Sequence, residues 1–298
     1  MDKFPDFICI GAQRAGTTWL YKQLQQQTDV WLPPVKELHY FDRMDQQYGL
    51  ELLLKNKRWR DECLRLLAKA ILGLSLSDLL WAKKYFLSER NNSWYKSLFN
   101  TGSDKVCGDL TPAYSILDRE SVGRIYSVMP SVKIIFIMRD PVKRAWSHAI
   151  KGLVYGKGLS IDEITEQQFI EHFESDFSRL RGDYLRTIDN WLAFYPKDQL
   201  LLGFMEDIAS RPSDLIEDVC LFIGVKPDVV QKAVSEKPTN AKASGHKIPD
   251  SLELHLSRLY RDEIAALAAR YNSLPAQWLE AADACIAKAE QTEAGKGL

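Results

Sequence analysis

The sequence predicts an α/β fold: a central, mostly parallel sheet flanked by helices in three layers, with a helical insert at about residues 43–100. Three observations predict it. Apolar runs of strand length recur at Phe7 to Ile10, Val132 to Met138 and Leu200 to Phe204, without the polar alternation of a sheet that faces water on one side. Each run gives way to a stretch of helical character, the alternation that builds a parallel sheet. At 298 residues, with no internal repeat, low-complexity tract or linker, the chain reads as one domain over 1–298 with elaborations.

The first run stops in a glycine-flanked loop. Gly11 and Gly16 stand at the spacing of a P-loop, followed by Thr17, Thr18 and the helical stretch from Thr18 to Leu24, so backbone N–H groups and a helix N-terminus are set to hold an anion. Thr17 occupies the position after the second glycine that a nucleotide triphosphatase fills with Lys, and the cation of this loop is Arg14 instead. A loop with Pro33 and Pro34 leads to the segment from Lys36 to Asp42, and the insert follows. Lys105 to Asp109 reads as a strand that Pro112 keeps from continuing. The run at Val132 to Met138 ends at Arg139, Asp140 and Pro141, with Pro141 placed to begin a helix. The last run leads to Glu206, Asp207 and further helix.

Composition narrows the chemistry. A formal net charge of −1 argues against binding nucleic acid through a broadly basic surface, so any anion site is local. Five cysteines, odd in number and without C-x-x-C spacing, indicate neither a disulfide framework nor a zinc site, and fit a reduced, cytoplasmic setting. The most lipophilic segment, Leu64 to Leu87, is broken by Arg65, Lys69, Asp78, Lys83 and Lys84, which speaks against stable membrane insertion and for amphipathic helices. Its leucines read as core or a homodimer face, with an apolar acceptor lid as the alternative. In open parallel sheets ligands bind beyond the carboxyl ends of the strands, where Arg14, Asp109, Arg139 and Glu206 all fall, with Ser147 two helical turns beyond Arg139.

These residues carry a family resemblance. The loop from Gly11 to Trp19 resembles the 5′-phosphosulfate-binding loop of sulfotransferases that use 3′-phosphoadenosine 5′-phosphosulfate (PAPS), and Ile135 to Ser147 resembles their 3′-phosphate-binding strand and helix. Further matches lie at Lys36 to Asp42, Trp94 to Phe99, Gly108 to Ser115, Gly182 to Tyr184 and Glu206 with Asp207, closest to the bacterial and heparan sulfate type of the family. The resemblance implies sulfuryl transfer from PAPS to a hydroxyl, or less readily an amine, of a small-molecule, lipid or carbohydrate acceptor. The product is 3′-phosphoadenosine 5′-phosphate (PAP), and no metal is required. It implies cofactor contacts from Arg14, Ala15, Gly16, Thr17, Thr18 and Trp19, with Arg139 and Ser147 on the 3′-phosphate. It adds Lys242, Ser244, Gly245 and Lys247 from a basic loop that closes over the cofactor. Glu37 matches the catalytic base, with a pKa expected to be raised in a partly closed cleft, and His39 is its rival. An extended segment would put both on one face. Lys36, His39, Asp109 and Tyr114 are the acceptor contacts implied. Arg14 stands where the family usually has Lys; it keeps the charge and its hydrogen-bond donors but cannot give up a proton at working pH. Two other readings stay open from the residues: a P-loop small-molecule kinase, and a PAP-binding protein without turnover.

Overall fold

A computed structural model of the chain describes residues 3–43, 57–73, 75–228 and 246–296. Five strands, β1 (Phe7–Gly11), β2 (Val30–Trp31), β3 (Val106–Leu110), β4 (Lys133–Met138) and β5 (Leu200–Phe204), form one sheet in the order β2-β3-β1-β4-β5. Every pairing is parallel, so the sheet is wholly parallel rather than mostly so. β1 is buried along its whole length and β4 from Ile134 onward, which is why their sequences are continuous apolar runs. The two-residue β2, too short to leave an apolar run, was not legible in the sequence.

From β1 the chain goes to the far edge at β2, comes back to lay β3 between β2 and β1, then crosses to the other side of β1 for β4 and β5. Connections leaving the carboxyl ends of β1 and β4 therefore diverge, and a crevice opens between them. Gly108 lets β3 sit against β1: a Cβ there would meet the Phe7 ring at 2.1 Å. Pro112 ends the strand in the short 3₁₀ turn Pro112–Ile116, as expected of a residue without an N–H for the ladder. Helices cover both faces, and a long pair, Asp250–Arg270 and Leu274–Lys296, packs together at the C-terminal end.

The insert is helical over its described residues, Lys57–Leu72, Leu76–Leu87 and Asn92–Ser97; 44–56 lie outside them. Ser75 caps the second helix and Asn91 the third, each side chain accepting from a first-turn N–H, a contribution of about 1 kcal/mol apiece. Trp81, Tyr85, Phe86 and Trp94 bury the root of the insert in an aromatic cluster. The leucine stripe divides. Leu66 and Leu67 pack on the core and Trp81 is buried, while Leu64, Ile71, Leu72, Leu76 and Leu80 face solvent; Leu74 lies outside the described residues.

Candidate active site

Beyond β1 the chain turns through Gln13, Arg14 and Ala15 into the helix Thr17–Leu24. Gly16 makes the turn at φ 88°, a left-handed conformation, and a Cβ on it would meet Ile208 at 2.2 Å. No side chain caps this helix, so its first N–H groups are available to an anion. Arg14 is itself left-handed (φ 73°), which aims its guanidinium across the crevice: Nε donates to Ser147 Oγ at 3.0 Å, and Arg139 Nη1 donates to the Arg14 carbonyl at 3.0 Å. Ser147 is placed by the helix Pro141–Ala149, which starts at Pro141 and is capped by Asp140 on the Val142 N–H at 2.9 Å. The Tyr184 hydroxyl donates to the Arg139 carbonyl at 2.6 Å and holds that corner from below.

Neither Arg14 nor Arg139 forms an ion pair among the described residues. Burial, then the neighbouring charge of Arg139, pulls the Arg14 pKa down; burial does the same to Arg139. Two partly buried guanidinia that share a crevice with no direct ion pair, Arg139 meeting Glu206 and Asp140 only as neighbouring charges, fit a ligand with anionic groups at two places beside an uncapped helix N-terminus. A cavity of about 280 Å³ beside Pro141 and Ala266 does not: its lining carries Asp183, Asp262 and Glu263 and no cation.

The second loop, Lys36 to Asp42, is closed on itself. Lys36 Nζ donates to Glu37 Oε1 at 2.6 Å, His39 Nε2 lies 3.5 Å from Glu37 Oε2, and His39 Nδ1 bonds Asp42 Oδ2 at 2.7 Å. The segment is not extended: Glu37 (φ 67°) and His39 (φ 52°) are both left-handed, and that double turn, not strand alternation, brings their side chains together. Of the four non-glycine residues with positive φ among the described residues, Arg14, Glu37 and His39 are three; each such conformation costs about 1–3 kcal/mol, and strain of this kind gathers at functional sites. Burial alone would raise the Glu37 carboxyl, but the hydrogen bond with His39 and the charge and hydrogen bond of Lys36 outweigh it and hold the group at about 2. The expectation of a raised pKa is thus corrected. Burial would lower His39, and bonds to Asp42 and Glu37 reverse that into a raised pKa.

The two loops share one end of the sheet. Arg181 donates to the side chain of Gln13 in the first loop at 2.9 Å, and its pKa, pulled down by burial to about 10, is countered by the charge of Asp42 in the second. The charges of Lys36 and Glu37 also reach the thiol of Cys9 in β1.

Several expected contacts fall elsewhere. Asp109 is 1% exposed and Tyr114 0% exposed, so neither faces an acceptor: Tyr95 and Tyr114 donate to Asp109 Oδ2, both at 2.9 Å, and Thr111 donates to Oδ1 at 2.7 Å. The Tyr114 hydroxyl also accepts from the Tyr40 N–H at 3.2 Å, so this buried hub anchors the Lys36 to Asp42 loop from beneath. The Trp19 ring is buried in the core and offers no face to adenine. Ala15 uses its N–H on the Ala12 carbonyl at 3.1 Å, leaving Gly16, Thr17 and Thr18 as the better donors. Lys242, Ser244 and Gly245 lie outside the described residues. The Lys247 side chain is 90% exposed near Asp250, while the neighbouring His246 carbonyl accepts from Trp146 Nε1 at 2.8 Å and ties this segment to the helix that carries Ser147.

Two residues of the site carried no role in the sequence reading. Asp42 orients His39, and the spacing Glu37-x-His39-x-x-Asp42 was the signal available for it. Tyr184, at the end of the Gly182 to Tyr184 match, had no local signal for its reach to Arg139.

The profile of the Sulfotransferase family matches residues 5–229. Heparan sulfate glucosamine 3-O-sulfotransferase 6 of Homo sapiens is 30% identical over 172 residues, 55% of this chain and 50% of its own length. Carbohydrate sulfotransferase 15 of Mus musculus is 24% identical over 282 residues, 84% of this chain and 48% of its own. The chain spans about half the length of the curated relatives it matches. Among solved structures, a sulfotransferase from Alicyclobacillus acidocaldarius shares the fold with a TM-score of 0.63 at 21% identity, covering 93% of this chain and 99% of that one. A mouse sulfotransferase complexed with PAP does so at 0.51 and 12%, covering 94% and 89%.

Proposed function

The chain belongs to the Sulfotransferase family, and from that premise we propose that it transfers a sulfuryl group from PAPS to an acceptor hydroxyl and releases PAP. The observation that carries this reading is the meeting of Arg14, Arg139 and Ser147 at an uncapped helix N-terminus. Gly16, Thr17 and Thr18 hold the 5′ end of the donor through their N–H groups, and Arg139 with Ser147 takes the 3′-phosphate. The acceptor is a carbohydrate hydroxyl, a choice supported by the names of the relatives.

In the transfer the acceptor oxygen forms a bond to sulfur while the bond from sulfur to the 5′-phosphate oxygen breaks. The leaving phosphate keeps the electron pair, and the hydroxyl proton passes to Glu37. At rest Glu37 is too weak a base for this, being held at about 2 by its two partners. An acceptor hydroxyl that displaces Lys36 from Oε1 removes part of that hold, and the carboxylate's affinity for a proton rises. Lys36, once released, supplies a cation that can give up a proton, which Arg14 cannot at working pH, and meets the charge growing on the leaving oxygen. His39, fixed by Asp42, keeps Oε2 and the geometry.

The test is a calorimetric titration with PAP beside adenosine 5′-phosphate and magnesium-ATP. PAP is expected to bind most tightly. A preference for magnesium-ATP, or none at all, removes the reading and favours a phosphoryl-transfer enzyme.

A further inference from the structure

The insert presents a surface that the transfer chemistry does not use. Its first two helices, Lys57–Leu72 and Leu76–Leu87, carry seven Lys or Arg residues against three Asp or Glu, in a chain whose net charge is −1. On the second helix Leu76, Leu80, Lys83 and Leu87 are exposed at spacings of four, three and four, one continuous face. On the first, Leu64, Arg65, Ile71 and Leu72 are exposed, and the apolar side chains concentrate where the two helices meet, with Leu72 at 85% and Leu76 at 69%. Burying a leucine or isoleucine contributes about 1.5–3 kcal/mol, so a face of six is a large unspent attraction.

We propose that this helical pair docks on the surface of an anionic lipid bilayer, with Leu72 and Leu76 entering the headgroup boundary and the flanking cations facing the lipid phosphates. The paired signature of exposed aliphatic side chains and excess basic charge is that of an interfacial amphipathic element. Charge selects this occupant over a second copy: a two-fold pairing of this face would bring the basic excess against itself. The aliphatic side chains select it over a soluble polyanion, which offers them nothing to bury against. No helix of the described residues is long and apolar enough to cross a membrane, so the contact is peripheral.

The test is flotation of the full chain with phosphatidylcholine vesicles, with and without about one-third phosphatidylglycerol. The chain is expected to float with the anionic vesicles only, and to be released as salt approaches about 1 M, where charges are screened within about 3 Å. Leu72→Ser with Leu76→Ser is expected to weaken partition at least about tenfold, and Arg65→Glu with Lys83→Glu to abolish the preference for anionic lipid. All four side chains are exposed, so unchanged thermal unfolding is the control for folding. No flotation, equal flotation on neutral lipid, or full partition by the leucine variant overturns the proposal. So does a dimer that the leucine variant dissociates, or capture by a soluble sulfated polysaccharide in place of vesicles. PAP titration is independent of every arm, so failure here leaves the donor site untouched.

Discussion

The two loops that meet above the sheet differ in how their charges are closed. In the first, Arg14 and Arg139 approach one another with a serine hydroxyl and a carbonyl as partners and, among the described residues, no direct ion pair, the carboxylates of Glu206 and Asp140 acting on Arg139 only as neighbouring charges. In the second, the carboxylates of Glu37 and Asp42 are each held by a basic side chain, Glu37 by Lys36 and His39 and Asp42 by His39. Both contain left-handed residues, and so both hold side chains at some backbone cost. In the proposed function this contrast divides the work: the open loop is completed by the donor's charge, and the closed loop has to be opened by the acceptor before its carboxylate can act as a base.

Removing the carboxylate is the sharpest way to break this division. Glu37→Gln is expected to lower kcat about 10²–10⁴-fold, the range for loss of a general base, with PAP affinity unchanged by calorimetry. Full turnover by this variant would take Glu37 out of the mechanism. Arg139→Ala acts on the other loop: PAP affinity is expected to fall about 10–100-fold, as for a lost charge-assisted hydrogen bond in a partly buried site, with the acceptor KM unchanged. If PAP bound equally well, the open loop would not be the 3′-phosphate site. Asp42→Asn is a smaller intervention. It leaves the imidazole but removes the charge that raises its pKa, so kcat is expected to fall about tenfold and the pH–rate profile to shift to lower pH on the limb set by His39. A uniform loss without that shift would make Asp42 a packing residue.

How much of this the sequence held depends on how local each cause is. The apolar runs of β1 and β4 are legible because strands covered on both faces have no polar alternation to disguise them, and the part-buried edge strand β5 keeps the same kind of run. Arg14, Arg139 and Ser147 are legible because spacing around the glycines and around Pro141 fixes where they leave the backbone. The inward orientation of Asp109 and Tyr114 is not legible, because a polar residue near a strand end looks the same in sequence whether it faces the crevice or the interior; only the arrival of Tyr95 from the insert fixes it. The depressed Glu37 pKa was misread for a related reason: burial was foreseeable, but the two left-handed turns that place Lys36 and His39 on both carboxylate oxygens were not.

The smallest effect tests that last point directly. A carboxyl whose folded pKa lies below its ordinary 4.5 contributes stability that is present above about pH 4.5 and lost as the pH falls through its folded value of about 2. His39, raised from 6.5, contributes in the opposite sense, its share present below pH 6.5 and lost as the pH rises through its folded value. The difference in thermal midpoint between the wild-type chain and Glu37→Gln should therefore be widest near pH 5 to 6, where carboxylate and imidazolium coexist, and should close toward pH 2. Glu37 is partly open to solvent, so the difference will be modest, but its shape is diagnostic. A difference independent of pH would mean that Lys36 and His39 do not hold the carboxylate down, and that the second loop is already open before any acceptor arrives.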